Sequence, residues 1–236
     1  MNALNTATLE ELLAATSTVA EDDKLRVLIL TGTGDRAFAA GADVAEMVDK
    51  TYLEALRFAE LGQRVCQTLE TMNKPVIAAI NGYALGAGCE LVMACDFAFA
   101  VDSAVIGQPE VNLAIIPGFG GTQRLLRRIP VGIAREMVLT GRPIDAAEAL
   151  RVGLVNAVLP AEQLLPHVLA IAHEIAEKGP LAVAGAKRLM VSGLDSPLPA
   201  ANVLERETFA GLFATEDQRE GMRAFLNKRS PNFRGK

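Results

Sequence analysis

Two short runs of uninterrupted apolar residues constrain the fold of this chain most strongly. Residues 27–31 read Val-Leu-Ile-Leu-Thr and residues 76–80 read Val-Ile-Ala-Ala-Ile. A strand that is covered on both faces reads as a continuous apolar run, whereas a strand with one wet face alternates between apolar and polar residues. Gly32 ends the first run and Asn81-Gly82 ends the second. The two runs therefore predict a buried, parallel sheet.

Helical periodicity fills most of the remaining chain. Segments with apolar residues at helical spacing occur at 8–20, 51–72, 122–128, 131–140, 145–151, 161–178, 180–191, 200–214 and 216–228. Residues 97–101 and 105–107 read as short β-like pieces, and the glycine-rich residues 81–91 run from a turn into an apolar helix that ends near Asp96. This alternation predicts an α/β fold with a core over residues 1–191. The breaks at Ser192-Gly193 and Ser196-Pro197 predict a separate helical region over residues 192–236 that packs on another subunit.

Charge and cysteine content exclude several classes of protein. The 236 residues carry 23 Lys and Arg against 28 Asp and Glu, a net charge of −5, which argues against binding to nucleic acid phosphates. The three cysteines are odd in number and form no C-x-x-C pair, so we expect a reduced, cytoplasmic protein. The N-terminus has no secretory pattern, and the longest apolar run, around residues 75–89, is too short and too interrupted to span a membrane.

Motifs for common cofactors are absent or incomplete. Residues 32–37 match G-x-G-x-x-A after a strand, but no helix opens there and no acidic residue ends a following strand, so a dinucleotide site is not predicted. Residues 117–123 are glycine-rich without the G-K-[ST] ending of a phosphate loop. His167 and His173 lie six apart, which does not suit an H-E-x-x-H zinc site, and no G-x-S-x-G is present. The sequence therefore contains no complete motif for a dinucleotide, an ATP phosphate or this type of zinc site.

Two isolated carboxylates stand in apolar surroundings. Glu90 follows Gly-Ala-Gly-Cys in the first turn of a helix that reads as buried, and Glu110 lies between Gly-Gln-Pro and a long apolar stretch. Either acid could simply stabilise a helix start or pair with an arginine. Together they suit acid/base chemistry, in which one carboxyl donates a proton while the other accepts one.

Small residues next to these acids offer backbone hydrogen-bond donors. Gly86-Ala87-Gly88 and Gly41-Ala42-Asp43 each precede a predicted helix, where free N–H groups can face a ligand. Two such donors could form an oxyanion hole that stabilises an enolate. Asp43 has a second reading as a helix cap, with Glu46 in the capping-box position.

Four ordered motifs resemble those of the crotonase superfamily, and they are most similar to its short-chain enoyl-CoA hydratases. The similarity continues to residues 220–222 and so covers nearly the whole chain. The motifs are residues 38–43 (FAAGAD), 81–91 (NGYALGAGCEL), 107–110 (GQPE) and 116–125 (IPGFGGTQRL).

The resemblance implies a spiral of β-β-α turns followed by a helical trimerisation region, often assembled as a dimer of trimers. It implies hydration of a 2-trans-enoyl-CoA thioester to a 3-hydroxyacyl-CoA in fatty-acid or related acyl-CoA degradation. The N–H groups of Ala42 and Ala87 would hold the thioester oxygen, Glu90 and Glu110 would handle water and proton, and Gly118 would position the water. Coenzyme A is then part of the substrate, and the resemblance implies no metal, no redox cofactor and no other cofactor.

Further substrate contacts follow from the same resemblance. Ala40 and Asp43 of the first motif would contact the substrate. Arg36, Lys228 and Arg229 are candidates for the nucleotide phosphates, the last two by reaching the site of a neighbouring subunit. Each of these three cations could equally be a solvated surface charge.

Three departures from the family pattern bear on these expectations. Ala87 stands where glycine is common, and Ala45 stands where many hydratases have a lysine that contacts coenzyme A. Residues 1–5 resemble family sequence that normally follows a first β-strand, so we expect that strand to be missing from the core. Two alternatives therefore stay open: a Δ3,Δ2-enoyl-CoA isomerase that uses Glu110 alone, and an inactive acyl-CoA-binding relative.

Overall fold

The strands form two four-stranded sheets in a computed structural model that describes residues 1–236. The first sheet has the order β1-β3-β5-β8 and is parallel throughout; the second has the order β2-β4-β6-β7, in which only β7 is antiparallel. The strands are β1 (Leu28–Thr31), β2 (Ala37–Ala40), β3 (Val76–Ile80), β4 (Tyr83–Leu85), β5 (Phe97–Val101), β6 (Val105–Gly107), β7 (Ile144–Asp145) and β8 (Ala157–Leu159).

The chain alternates between the two sheets as it advances. Each of the pairs β1–β2, β3–β4 and β5–β6 gives one strand to each sheet. Helices return the chain to the first sheet after β2 and after β4, whereas after β6 the chain adds β7 to the second sheet before β8 joins the first. This path is a spiral of β-β-α turns, which confirms the predicted fold class.

Eleven helices surround and extend the spiral, and most of their bounds fall within two or three residues of the predicted ones. They are α1 (Thr6–Glu21), α2 (Val44–Met47), α3 (Tyr52–Thr71), α4 (Ala87–Ala94), α5 (Gly121–Arg128), α6 (Val131–Thr140), α7 (Ala146–Arg151), α8 (Ala161–Ala176), α9 (Pro180–Gly193), α10 (Leu198–Leu212) and α11 (Glu216–Leu226). None of them combines the length and apolarity that a membrane span requires.

The two apolar runs that led to the prediction of a buried sheet differ in burial. All five residues of β3 are buried, as expected for a central strand. The strand β1 is an edge strand of its sheet; three of its residues are half-buried and Thr31 is exposed, so the expectation that both of its faces are covered is wrong. The continuous apolar run reflects packing against α8 and β3 rather than full enclosure.

Four strands are missing from the sequence-based assignment. β2 (Ala-Phe-Ala-Ala) and β4 (Tyr-Ala-Leu) are short and lie beside glycine residues, β7 overlaps the start of a predicted helix, and β8 lies between two predicted helices. Their backbones pair because neighbouring strands of the spiral lie alongside them. Tertiary context therefore outweighs the local pattern at all four.

The predicted capping box at α2 is only half present. The Asp43 carboxylate accepts from the N–H of Ala45 at 3.0 Å, as expected of an N-cap. Glu46 instead accepts from the backbone N–H of Thr6 at 2.8 Å and pairs with Lys50 at 2.7 Å, and these contacts lower the pKa of its carboxyl to about 2. Glu46 thus ties α2 to the start of α1.

The C-terminal helices carry an exposed apolar surface. The predicted division after residue 191 falls inside α9, which continues to Gly193, and the division itself stays a prediction. None of the α10 residues is buried. Phe209 is 63% exposed, and Phe225 and Leu226 of α11 are 83% and 78% exposed. Large apolar side chains of both helices are thus mostly exposed in the single chain.

Candidate active site

Three parallel strands of the second sheet end at the same edge. Ala40 of β2 is in register with Leu85 of β4, which is in register with Gly107 of β6. The residues that follow these strands therefore reach a common edge, and ligands bind at the carboxyl ends of such strands in open α/β sheets. Ala42 and Ala87 each come two residues after the aligned pair, so the register brings both predicted oxyanion donors to this edge.

Both of these alanines offer a free peptide N–H group. Ala87 is the first residue of α4, where the N–H has no acceptor within the helix. The residue before it, Gly86, has a φ of +52°, a conformation that strongly favours glycine. Ala42 lies outside any helix or strand and its N–H donates to no backbone acceptor, whereas the adjacent N–H of Asp43 donates to the carbonyl of Leu4.

Glu90 lies one turn further along α4 and is 1% exposed. Its Oε1 accepts from the N–H groups of Phe119 at 2.8 Å and Gly121 at 2.6 Å. Burial, assisted by the negative charge of Glu110, raises the pKa of the Glu90 carboxyl to about 7, although the two N–H groups favour the ionised form. The arginine partner considered from the sequence is thus replaced by two backbone donors, which are 29 and 31 residues distant along the chain.

Glu110 begins a short 3₁₀ turn three residues after β6 and is half-buried. Burial raises the pKa of its carboxyl to about 6. The side-chain amide of the fully buried Gln108 has suitable hydrogen-bond partners only when its nitrogen donates to this carboxylate, at 2.9 Å from Oε1. Both acids therefore titrate close to neutral pH, as acid/base chemistry requires.

A cavity of about 420 Å³ brings these groups together. Ala40, Ala42, Ala87, Glu90, Glu110 and Gly118, all predicted from the sequence, line it. The rest of the wall is mostly apolar and includes Ala55, Phe58 and Ala59 of α3. The chain holds no cluster of three or more His, Cys, Asp or Glu side chains arranged for a metal ion.

Three predicted substrate contacts do not line this cavity. Asp43 is the N-cap of α2, while Arg36 and Lys228 are exposed residues elsewhere on the surface. Of the two C-terminal cations, Arg229 is paired with Glu220 at 2.6 Å. The proposed reach of Lys228 and Arg229 to a neighbouring subunit stays a prediction.

Lys50 is a cavity residue that the sequence analysis missed. Its ammonium lies 5.1 Å from the centre of the Phe58 ring and is paired with Glu46. The available signal was its position just before the capping box of Thr51 and Glu54, which places it at the start of the helix that forms the cavity wall.

The spiral fold holds a cavity with two free N–H groups and two carboxyls whose pKa values lie near neutral pH, an arrangement suited to polarising a carbonyl group and moving protons beside it. Comparison with known proteins makes the class specific. The sequence profile described as enoyl-CoA hydratase/isomerase matches residues 1–236, and the chain belongs to that family.

Individual relatives agree with this assignment. The chain is 50% identical over 233 residues to the crotonyl-CoA hydratase of Syntrophomonas wolfei, covering 99% of this chain and 90% of the relative. It is 44% identical to the short-chain-enoyl-CoA hydratase of Clostridium acetobutylicum, covering 97% and 88%. The crystal structure of an enoyl-CoA hydratase from Bacillus anthracis superposes with a TM-score of 0.96 at 43% identity, covering 99% and 91%. The predicted crotonase superfamily and enoyl-CoA hydratase class are confirmed.

Proposed function

We propose that this chain adds water reversibly to short-chain 2-trans-enoyl-CoA thioesters and forms 3-hydroxyacyl-CoA, as a step of acyl-CoA degradation. One observation carries the proposal: the cavity contains two free N–H donors and two carboxyls with raised pKa values. The similarity to a crotonyl-CoA hydratase and a short-chain hydratase supports the short acyl chain.

The N–H groups of Ala42 and Ala87 receive the thioester oxygen. Attack of water at C3 moves electron density through C2 to this oxygen and produces an enolate-like charge. Because the donors are fixed by the backbone at the ends of β2 and β4, they need no rearrangement when the charge develops. They therefore bind the transition state more strongly than the substrate.

Glu90 and Glu110 carry out the two proton transfers of the reaction. One carboxylate removes a proton from the attacking water, and the other carboxyl protonates C2, so that water adds across the double bond with no net change in charge. The N–H group of Gly118 holds the water in this proposal, which is consistent with its position in the cavity wall. The reaction then needs only side chains, backbone groups and coenzyme A as part of the substrate.

Paired substitutions test the acid/base assignment. Glu90→Gln and Glu110→Gln preserve size while removing the exchangeable carboxyl proton, so each should lower kcat for crotonyl-CoA by about 10²–10⁴-fold. The loss of ultraviolet absorbance of the conjugated thioester reports the rate. The matched control is Glu162→Gln at the exposed start of α8, which should keep the wild-type rate.

The isomerase alternative gives a different outcome in the same experiment. A Glu90→Gln protein that converts a 3-enoyl-CoA at the wild-type rate would favour isomerisation through Glu110 alone. Wild-type rates of hydration in both glutamine variants would contradict the proposed mechanism, and saturable binding with no turnover by the wild type would identify an acyl-CoA-binding protein.

We also propose that copies of the chain associate through the apolar face of α10 and α11, as a trimer or a dimer of trimers in the cytoplasm. The face includes Phe209, Phe225 and Leu226, whose large apolar side chains are mostly exposed in the single chain. Light scattering of Phe225→Glu should show a smaller particle than the wild type. An exposed residue on another face, Leu139 (75% exposed), provides the control as Leu139→Glu.

A further inference from the structure

We propose that Arg124 is a positioning residue for the reaction: it fixes the backbone of residues 118–121 so that this segment presents its N–H groups to Glu90. The inference rests on the proposed function. The inference extends the proposed function to a side chain that lies outside the cavity wall and acts through the backbone of residues 118–121.

The orientation of Glu90 depends on one loop. One of its protein donors, the N–H of Phe119, belongs to the segment that joins the 3₁₀ turn (Glu110–Leu113) to α5, and the other, the N–H of Gly121, is that of the first residue of α5. The residues 114–120 form no regular helix or strand, so no ladder of backbone hydrogen bonds fixes their position. Contacts made by other parts of the chain must hold this segment.

Arg124 supplies the charged contact. Its Nη1 donates to the carbonyl of Phe119 at 2.6 Å, and its Nε and Nη2 donate to the two carboxylate oxygens of Glu70 at 2.8 Å and 2.7 Å. Glu70 lies in the last turn of α3, so the guanidinium joins the loop to that helix. All three donors come from one planar group, which fixes direction as well as distance.

Gly120 makes this close approach possible. A Cβ atom at that position would lie 2.3 Å from Nη1 of Arg124, and the φ of Gly120 is +106°. The loop can therefore fold around the guanidinium only with glycine here.

Two uncharged contacts from α3 act on the same segment. Nε2 of Gln63 donates to the carbonyl of Gly118 at 3.0 Å, and the N–H at the other end of that peptide group is the Phe119 donor to Glu90. The Phe119 ring occupies space beside Gly62, where a Cβ would lie 2.2 Å from the ring. The helix α3 thus contacts the loop directly at Gly118 O and at the Phe119 ring, and it holds Phe119 O through Arg124.

The charge of Arg124 and the hydrogen bonds that it positions both favour the ionised form of Glu90. Its positive charge lowers the pKa of Glu90, whereas burial and the negative charge of Glu110 raise it. The other titratable neighbours, Cys66 and Cys89, are neutral because burial raises the pKa of each thiol to about 12. Removing Arg124 should therefore weaken the two N–H contacts and also remove a compensating charge.

The test compares Arg124→Met, Arg124→Lys and Glu70→Gln with the wild type. We expect kcat for crotonyl-CoA to fall by about 10- to 100-fold in Arg124→Met, with KM within about threefold, because a misplaced group lowers the rate more than it weakens binding. Arg124→Lys should recover part of the loss, since a point charge cannot make all three contacts. Glu70→Gln, which keeps the bond to Phe119 O, should lose less than Arg124→Met.

The matched control is Arg127→Met. Arg127 lies on the same helix and pairs with exposed Asp195 at 3.3 Å, away from the loop. It should keep the wild-type kcat. Circular dichroism and thermal unfolding give the folded fraction of each variant, and kcat is expressed per folded molecule.

A second readout separates positioning from mere stabilisation. The Glu90 limb of the kcat–pH profile should move upward by about one unit in Arg124→Met, and carboxyl ¹³C NMR, assigned with Glu90→Gln, should show the same displacement. An unchanged kcat, or a reduced kcat with an unmoved limb, would overturn the inference. If the wild type proves inactive, the proposed function fails, and the NMR midpoint alone decides the inference about Arg124.

Discussion

The contribution of the Ala87 N–H can be measured by replacing one atom. Substituting lactic acid for Ala87 converts the amide between residues 86 and 87 into an ester, which removes the donor and adds no bulk to the cavity. The helix α4 should persist, because the N–H of its first residue has no acceptor within the helix. The side effect is a weaker acceptor at the Gly86 carbonyl, which receives the N–H of Glu90 at 3.0 Å.

The expected magnitude follows from the position of this donor. In the proposed mechanism it is one of two N–H groups that bind the thioester oxygen; it lies at a helix start, and Ala87 is only 4% exposed. Removing a single oxyanion donor costs about 2.7–4 kcal/mol of transition-state stabilisation, which corresponds to a fall in kcat of about 10²–10³-fold. KM should change much less, since the oxygen carries full negative character only in the transition state.

The same replacement at Ala161 is the control. Ala161 is the exposed first residue of α8, and the carbonyl before it, that of Pro160, accepts the N–H of Gln163 at 2.9 Å, so the ester weakens a comparable helix-start bond. It should leave kcat unchanged. The assay is the absorbance of crotonyl-CoA, with thermal unfolding measured in parallel. A stably folded ester at position 87 with kcat within about threefold of the wild type would refute the assigned role.

Two predictions concern stability. Burial raises the pKa of Glu90 to about 7, so the folded chain holds a proton there that the unfolded chain loses above about pH 4.5. The free energy of unfolding should therefore fall by on the order of 3 kcal/mol between pH 4.5 and pH 7. Urea titrations of Glu90→Gln should lack this pH-dependent component. Lys187→Met should lower the free energy of unfolding by about 3–5 kcal/mol, because it removes the charged partner of Asp96 at 2.8 Å and the donor to the carbonyls of Leu69 and Lys74, and leaves the Asp96 carboxylate the N–H of Val76. Lys178→Met at an exposed pair should cost less than about 1 kcal/mol. A loss in Lys187→Met no larger than in Lys178→Met would contradict this reasoning.

Sequence patterns reached the helices and central strands because their signals are local. The apolar runs of β3 and β5 and the periodicity of α3 depend on residues that are adjacent or one turn apart. β2 and β4 carry no such signal: these short segments of four and three residues become strands because neighbouring strands of the spiral lie beside them. The edge position of β1 was equally invisible, since exposure depends on which strand lies next to it.

The residues of the candidate site likewise fall into those that local sequence signals predicted and those that they did not. Glu90 and Glu110 could be found because a carboxylate in an apolar segment is conspicuous, and the small residues at Ala42 and Ala87 indicated possible donors. The partners of Glu90 could not be found from the pattern, because they are backbone groups in a loop about thirty residues away. Lys50 was missed for a related reason: the capping box after it indicates where α3 begins, but its position at the cavity follows from the packing of that helix.

The register of β2 and β4 has a consequence for how this site can change. The groups that would stabilise the negative charge on the thioester oxygen are peptide N–H groups, which every residue except proline possesses. Point substitutions other than proline at Ala42 or Ala87 therefore alter the shape of the cavity and keep the donors. The proton-handling groups are two side chains, and one codon change removes either of them. In the proposed mechanism the path of the backbone alone thus determines whether the carbonyl is polarised, while substitutions at positions 90 and 110 can change the reaction at the carbons beside it.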